Sequence, residues 1–414
     1  MGILFNQFLV QEINMILKKL DTGFEIYFDN KLLISHTKEK PFLYVGSGNA
    51  SYDMYRGNFE IKDHLIERIS LKEFSIERVD TFYIVNFLRD NEVKVRLRIS
   101  KDGEKRLKID FVKTVEGLNR IWIRIPAEKK EKIYGCGEQF SYFNLRGKNF
   151  PLWSSEPGVG RNKKTYVTWQ ADVVDRAGGN YFNTYYPQPT FVSSKKYYCH
   201  LECSSYMDFD FSNENFHELQ CWDIPEFILF DSAETFVDLA YKLSGYFGRQ
   251  EELPDWIHDG LIIGMQGGTD TVIKKVDNAR KHGVKIAGVW CQDWIGSRYT
   301  SFGKRVNWNY EWSPEVYPEL DKKLPEWKKD GIHFMGYITP FVLADYPIFN
   351  EAKNKNLLAK NIEGGVYLVD FGEFDCGIVD FTNPKAFEWY KGIIKKNLIE
   401  FGLSGWVRAH LVLK

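Results

Sequence analysis

Short runs in which apolar and polar residues alternate occupy roughly the first 250 residues, a spacing typical of half-buried strands. Phe24, Ile26 and Phe28 alternate, Asp29-Asn30 supplies a turn, and 32–34 forms a return strand. Residues 82–88 and 93–99 flank a second turn at Arg89-Asp90-Asn91. Many short strands separated by turn residues predict an antiparallel β-sandwich.

The hydrophobic period changes near residue 250, where longer apolar runs replace the alternating ones. Four runs have the length and composition of buried strands: 261–265, 285–290, 333–339 and a run that starts at 404. Between them lie three stretches with apolar positions at helical spacing: Val272, Val276 and Ala279; Leu320, Leu324 and Trp327; and Phe387, Tyr390, Ile394, Leu398 and Phe401. Such alternation predicts parallel βα units, about half of the eight that close a barrel.

The sequence therefore predicts an α+β and α/β multidomain protein. Residues 1–250 should form the N-terminal antiparallel β-sandwich, and 251–414 the first half of a (β/α)8 TIM barrel with about four βα units. The stretch at about 135–170 is too long for a plain connection, and its Trp and Phe content argues against disorder. We expect it to be a functional loop.

Composition excludes several classes of protein. The net charge of −1 over 414 residues gives no general attraction to nucleic acid or membrane. The N-terminus is not a secretory signal, and no apolar run is long enough to span a bilayer. The six cysteines form no C-x-x-C pair, so we expect no metal site, no cofactor and free thiols in the cytoplasm. The sequence leaves the oligomeric state unknown.

Amides, an acid, cations and indoles crowd into residues 290–308, directly after a predicted strand. They read W-C-Q-D-W-I-G-S-R-Y-T-S-F-G-K-R-V-N-W. In a barrel of alternating strands and helices, this position is the mouth where sites are built. Indole faces cover apolar C–H surface and guanidinium groups fork onto paired oxygens, a combination that suits a sugar carrying an anion.

This segment resembles the sulfoquinovosidase branch of glycoside hydrolase family 31. Further motifs occur in the same order as in that branch: Y-G-C-G-E-Q-F-S-Y-F from Tyr134, F-P-L-W-S-S-E from Phe150, G-V-G-R-N-K-K-T-Y-V-T-W-Q from Gly158, G-M-Q-G-G-T from Gly264 and Y-L-V-D-F-G-E-F from Tyr367. The resemblance runs from about residue 20 to about residue 406. It implies a retaining α-glycosidase that cleaves α-sulfoquinovosides, a small-molecule sugar substrate.

The resemblance also implies roles for particular residues. Arg305 and Trp308 would hold the sulfonate, while Gln266 and Gln292 would bind sugar hydroxyls. Lys304 is a solvated or supporting charge. On the loop at 135–170, which approaches the active-site cleft in such enzymes, the candidates are Glu138 and Gln139, although packing of the loop itself accounts for them equally well.

The catalytic carboxylates of the family are not found at their expected places. The family nucleophile is an Asp within a motif like G-W-x-A-D-F-G-E, and here Gly405-Trp406-Val407-Arg408 is followed by Ala409. The general acid would lie beyond residue 414. We therefore expect a truncated or frame-shifted copy that is inactive as written. Asp370-Phe371-Gly372-Glu373 spells part of the motif, but we interpret it as part of a loop or small hairpin before a barrel strand at 377–380.

Three other interpretations stay open at this point. A family 31 α-glucosidase for neutral glucosides would leave the Arg305/Trp308 pair without an anion to match. A non-catalytic sugar-binding remnant would lack the catalytic carboxylates and still bind the sugar. A pseudogene product would never fold.

Overall fold

The computed structural model describes residues 15–55, 58–103, 106–301, 303–361 and 363–408, and the chain divides into two compact units between Arg249 and Gln250. The first unit is almost entirely strand. Its elements are β1 Met15–Lys19, β2 Gly23–Phe28, β3 Lys31–Thr37, β4 Leu43–Tyr55, β5 Asn58–Ser70, β6 Glu73–Val79, β7 Phe82–Arg89, β8 Glu92–Asp102, β9 Arg106–Thr114, β10 Arg120–Pro126, β11 Ile133–Gly137, β12 Asn149–Leu152, α1 Tyr166–Asp175, β13 Pro187–Ser193, β14 Tyr197–Leu201, β15 Met207–Asp210, β16 Phe216–Cys221, β17 Phe227–Ser232 and α2 Phe236–Phe247.

These strands form the antiparallel sandwich that the alternation predicts. A six-stranded sheet has the order β12-β15-β16-β10-β4-β5, an eight-stranded sheet has the order β11-β13-β14-β17-β9-β8-β7-β6, and β1-β2-β3 form a third. Side chains of both large sheets, such as Phe87 of β7 and Ile123 of β10, share one buried core. Asp29 and Asn30 both have positive φ, as a tight hairpin turn requires, and so do Asp90 and Asn91.

The second unit alternates strands with helices. Its elements are β18 Leu261–Met265, α3 Thr269–Lys281, β19 Ile286–Cys291, β20 Ser297–Thr300, β21 Gly303–Val306, α4 Leu320–Lys329, β22 His333–Ile338, β23 Phe341–Leu343, α5 Pro347–Asn354, β24 Leu368–Asp370, β25 Asp375–Ile378, α6 Pro384–Ile394 and β26 Gly405–Arg408, with short 3-10 turns at Asp255–His258 and Gln292–Ile295 and a π-helical turn at Lys395–Ile399.

Four of these strands form the parallel sheet of a partial barrel, in the order β18-β19-β22-β26. This confirms the predicted βα units. Residues 377–380, which we expected to belong to a barrel strand, lie elsewhere: β25 pairs antiparallel with β23 and β24 in a separate small sheet. The chain returns after α5 to the edge of β23 instead of crossing over to the parallel sheet. No helix in the described residues is long and apolar enough to cross a membrane.

Helix α6 forms where the helical spacing predicts it, but the side chains that it buries differ slightly from the predicted ones. The side chain of Asn383 caps α6 by accepting from the backbone N–H of Lys385 at 3.0 Å. Tyr390 and Leu398 are buried, but Phe387 is 51% exposed. The π-helical turn at Lys395–Ile399 widens the helix after Ile394, which rotates Leu398 back toward the side of Tyr390.

One carboxylate lies fully buried in the core of the first unit. Glu131 lies 3.3 Å from Nε2 of His217, and both side chains are 0% exposed. The hydroxyls of Ser193 and Tyr197 donate to the same carboxylate. Burial pushes the pKa of Glu131 upward, but the contact with His217, with help from Ser193, outweighs it and lowers this pKa to about 2.

We expect this carboxylate to make the first unit sensitive to acid. Because the pKa of Glu131 is lower in the folded state, its stabilisation is fully present above pH 4.5 and is lost as the pH falls toward 2. This stabilisation contributes on the order of 3 kcal/mol to the free energy of unfolding. Urea unfolding of wild type and Glu131→Gln across this pH range should show a difference that shrinks as the pH falls. Glu128→Gln, which removes an exposed partner of Lys195, is the matched control; equal pH profiles for all three proteins would contradict the assignment.

Candidate functional site

Two of the predicted ligand residues meet where neighbouring parallel strands end. Gln266 follows Met265 of β18, Gln292 follows Cys291 of β19, and Met265 pairs with Cys291 across the sheet. Nε2 of Gln266 donates to Oε1 of Gln292 at 3.0 Å. Gln266 is exposed and Gln292 is half-buried, so the remaining amide groups can bind a ligand from solvent.

A buried carboxylate lies directly beneath these amides. Asp293 is 0% exposed, and its Oδ2 accepts from Nζ of Lys304 at 2.7 Å and from the backbone N–H of Gly267 at 3.0 Å. Its Oδ1 accepts from the hydroxyl of Tyr317 at 2.6 Å. Burial, reinforced by the neighbouring Cys291 and Asp293, raises the pKa of Tyr317, which keeps this hydroxyl a donor. Lys304 therefore supports the site instead of facing the ligand.

The hairpin formed by β20 and β21 carries two arginines in very different states. Arg298 and Arg305 lie directly opposite each other, which places their side chains on the same face. Arg298 is paired: its NH1 and NH2 donate to the two carboxylate oxygens of Asp345 at 2.9 and 3.1 Å, and its Nε donates to Oδ1 of Asn307 at 3.0 Å. Arg305 is exposed and forms no hydrogen bond or ion pair with any other described residue.

Trp308 follows the hairpin and presents an unused donor. Its ring packs against Phe341, Phe371 and Phe374, with centroids 5.4, 4.7 and 6.0 Å away. Its indole Nε1 is buried and has no hydrogen-bond partner among the described residues. Buried indole N–H groups ordinarily have a partner, so this N–H is a candidate donor to a ligand, although the indole N–H groups of Trp153, Trp222 and Trp290 are in the same condition.

These residues supply complementary kinds of contact beyond the C-terminal ends of the parallel strands. Within the part of the chain that the structure describes, Arg305 offers a guanidinium without a partner and Trp308 an unpaired N–H and an aromatic ring, and Gln266 and Gln292 offer amides. The contact between Asp293 and Lys304 ties the segment after β19 to the strand that carries Arg305. Such a set can bind a polyhydroxylated ring that bears an anionic group.

Comparison with known proteins assigns both units to one family. The model for the glycosyl hydrolase 31 N-terminal galactose mutarotase-like domain matches residues 24–210, and the model for the glycosyl hydrolases family 31 TIM-barrel domain matches residues 255–408. The chain belongs to glycoside hydrolase family 31.

Relatives of this family 31 chain include two curated sulfoquinovosidases. The protein from Escherichia coli is 50% identical over 385 residues and the one from Agrobacterium fabrum is 45% identical over 386; each match covers 93% of this chain and 57% of the relative. A solved family 31 sulfoquinovosidase from E. rectale, bound to an aza-sugar inhibitor, is 48% identical with a TM-score of 0.90, over 95% of this chain and 58% of that structure. The chain thus spans just over half the length of these relatives.

The two loop candidates of the family 31 chain lie just after β11 in the first unit. Glu138 is exposed, and its backbone N–H donates to the carbonyl of Tyr186 at 2.8 Å. Nε2 of Gln139 donates to the carbonyl of Cys136 at 3.0 Å, while its Oε1 is buried without a partner among the described residues. Both residues thus take part in local loop packing, and their role at a cleft stays a prediction.

Of the positions considered for catalysis, the structure describes only those of the D-F-G-E segment. Ala409 lies outside the described residues. Asp370 and Glu373 belong to the hairpin of β24 and β25, which confirms the predicted small hairpin. Oδ1 of Asp370 accepts from the backbone N–H of Gly372 at 2.6 Å, and Oε1 of Glu373 accepts from the backbone N–H of Ser301 at 2.7 Å. The hydrogen bond from Ser301 lowers the pKa of Glu373.

Several residues that build the site give no signal in the sequence alone. Asp345, 47 positions after Arg298, fixes that guanidinium, and Tyr317 completes the shell of Asp293. Phe371, dismissed with the rest of its motif, forms an edge contact with the ring of Trp308. These contacts join distant segments and leave no local signal. Only the unusual density of polar residues in 290–308 pointed to this neighbourhood.

Proposed function

We propose that this chain carries the substrate-binding part of an α-sulfoquinovosidase site. Arg305 and Trp308 bind the sulfonate, the guanidinium by paired hydrogen bonds and the indole by its N–H. Gln266 and Gln292 bind hydroxyls of the sugar ring. The similarity to two sulfoquinovosidases across 93% of the chain supports this proposal, and the six free thiols, typical of a reducing compartment, support a cytoplasmic location.

The observation that carries the proposal is the pair of unused donors beside the hairpin of β20 and β21. Arg298 shows how this fold satisfies a guanidinium with a carboxylate, yet Arg305 opposite it has no partner among the described residues. The buried indole N–H of Trp308 also has no hydrogen-bond partner among the described residues. A neutral glucoside gives a guanidinium fork no anion to match, which favours a sulfonated sugar over the neutral alternative.

Binding without hydrolysis is the activity that we propose for these 414 residues. The family nucleophile corresponds to Ala409, and a methyl group cannot form the covalent glycosyl intermediate of a retaining enzyme. The carboxylate nearest in sequence to the amides of the site, Asp293, is committed to Lys304 and Tyr317. The chain can therefore hold the sugar while the bond-breaking carboxylates are missing from these positions.

Replacement of Arg305 tests the substrate class directly. Arg305→Ala should weaken binding of methyl α-sulfoquinovoside by about 2 kcal/mol, roughly thirty-fold in Kd, because a charge-assisted pair of hydrogen bonds is lost. Binding of methyl α-glucoside, which lacks the anion, should change little. Trp308→Phe keeps the aromatic ring and removes the N–H, and should cost about 1 kcal/mol for the sulfonated sugar only. Isothermal titration calorimetry measures the Kd of wild type and of both variants for each sugar.

Arg280→Ala is the matched control, since it removes one guanidinium from α3, where the side chain donates to the carbonyl of Asp330. It should leave the affinity for both sugars unchanged. Equal losses for the sulfonated and neutral sugars in Arg305→Ala would make Arg305 a structural residue. The assignment to sulfoquinovosides would then be wrong.

A further inference from the structure

The hairpin that carries Arg305 has no larger sheet to hold it in place. Strands β20 and β21 pair with each other and with no other strand among the described residues. A two-stranded hairpin by itself is marginally stable in water. Its position therefore depends on the side chains that contact it from other segments. A guanidinium that forms two parallel hydrogen bonds with an anion needs such support, because the geometry of both bonds must be correct at once.

Two ion pairs hold the strands of this hairpin. On β21, Nζ of Lys304 contacts the buried carboxylate of Asp293 at 2.7 Å. On β20, the guanidinium of Arg298 contacts Asp345 at 2.9 Å. Neither contact involves the turn that joins the two strands, so the turn needs a support of its own.

The turn is held by the residues that connect β24 to β25, here called the 371–374 segment. Oε1 of Glu373 accepts from the backbone N–H of Ser301, which directly follows β20, at 2.7 Å. This hydrogen bond lowers the pKa of Glu373, which favours the charged acceptor. The two residues are 72 positions apart in the chain, so the contact fixes the turn relative to a separate sheet.

The two phenylalanines of the 371–374 segment contact the neighbours of Arg305. Phe371 forms an edge contact with Trp308, with ring centroids 4.7 Å apart, and stacks on Phe374 at 5.6 Å with an interplanar angle of 9°. The guanidinium of Arg298, directly opposite Arg305 on the hairpin, lies 5.3 Å from the centre of the Phe374 ring. One short segment thus contacts the hairpin turn, a strand of the hairpin and the ring of Trp308.

We propose that Glu373 is a positioning residue for the sugar site: by holding the turn at Ser301, it fixes the guanidinium of Arg305 relative to the indole N–H of Trp308, so that both bind the same anionic group. This inference rests on the proposed binding of a sulfonate by these two residues. Glu373 acts through the hairpin and not through contact with the sugar. The D-F-G-E sequence, which imitates the nucleophile motif of the family, thereby contributes to the choice of substrate.

Replacement of Glu373 tests the proposal in the whole chain. Glu373→Ala should weaken binding of methyl α-sulfoquinovoside about five-fold and leave binding of methyl α-glucoside unchanged, because only the sulfonate contacts the hairpin. Glu373→Gln keeps an acceptor for Ser301 and should recover most of the affinity. Glu388→Ala is the matched control: this exposed glutamate of α6 pairs with Lys391 at 3.4 Å, and its loss should change neither affinity. Isothermal titration calorimetry measures each Kd, and near-UV circular dichroism establishes that each variant is folded.

A double-mutant cycle separates positioning from a general structural effect. In the Arg305→Ala background, Glu373→Ala should change the Kd for the sulfonated sugar by less than about two-fold, because the guanidinium that it positions is gone. Additive losses, an unchanged Kd in Glu373→Ala, equal losses for both sugars in Glu373→Ala, or Glu373→Gln no better than Glu373→Ala would each overturn the proposal.

The Arg305→Ala variant distinguishes these failures from failure of the proposed function. If it loses affinity for the sulfonated sugar alone while Glu373→Ala changes nothing, the sulfonate assignment stands and the role of Glu373 is wrong. If it loses equal affinity for both sugars, the sulfonate assignment is wrong, and the role of Glu373 falls with it.

Discussion

Replacing Asp293 by alanine should lower the free energy of unfolding of the second unit by about 3 kcal/mol. The carboxylate is 0% exposed and accepts from Lys304, Tyr317 and the backbone of Gly267. Its removal leaves a buried phenol and a backbone N–H without an acceptor and a cation without its counter-charge. Lys304 retains 29% exposure and can turn toward water, which keeps the expected loss at the lower end of the range for buried pairs.

Urea unfolding followed by near-UV circular dichroism measures this loss. Asp345→Ala is the matched control, because it removes a carboxylate that is 59% exposed from its pair with Arg298 and should cost at most about 1 kcal/mol. Asp293→Asn should fall between the two, since an amide keeps an acceptor for Tyr317 and loses the charge that Lys304 needs. A loss for Asp293→Ala no larger than that of the control would mean that Asp293 does not hold this region together.

Asp293 also explains how the binding residues keep their places. Its hydrogen bond to Gly267 holds the backbone next to Gln266, and its ion pair with Lys304 holds the backbone next to Arg305. The residue itself directly follows Gln292. One buried carboxylate thus links the segments of three of the four proposed ligand residues, Gln266, Gln292 and Arg305, so its loss should reduce sugar affinity along with stability.

The sequence predicted the fold where local chemistry decides it. Asp29-Asn30 and Asp90-Asn91 tolerate positive φ, and both hairpins form around them. The parallel strands form where uninterrupted apolar runs predict them; β19, for example, is buried at every residue but Trp290, and a strand covered on both faces needs no alternation. The prediction of a barrel strand at 377–380 was wrong, because a contact between distant segments determines where this strand lies: β25 pairs with β23 and not with the barrel sheet.

The candidate site was predictable only in part, for a related reason. The clustering of Gln292, Arg305 and Trp308 is visible in a single segment of the chain. The states of the two hairpin arginines are not visible there, because they depend on distant segments: Arg298 pairs with Asp345, while Arg305 has no partner among the described residues. Residues of the same type, opposite each other on one hairpin, thus differ: Arg298 has a structural contact, and Arg305 is the one proposed to bind a ligand.

The purified 414-residue protein should not hydrolyse 4-nitrophenyl α-sulfoquinovoside above a preparation blank. A retaining glycosidase needs two carboxyl groups about 5 Å apart, one to attack the anomeric carbon and one to protonate the leaving oxygen. Ala409 stands at the position of the family nucleophile, and a methyl group cannot attack the anomeric carbon. Loss of groups that act as a unit costs many orders of magnitude in rate.

Asp370 offers the sharpest control for this experiment, because it begins a D-F-G-E sequence that imitates the nucleophile motif. Its carboxylate accepts from Gly372 within the turn, which is a structural contact. Asp370→Asn should therefore change neither the absence of turnover nor the affinity for the sugar. Turnover that Asp370→Asn abolishes would identify this residue as the nucleophile. Turnover that survives the substitution would require chemistry without the two carboxylates of the family, and the assignment of Ala409 to the nucleophile position would fail.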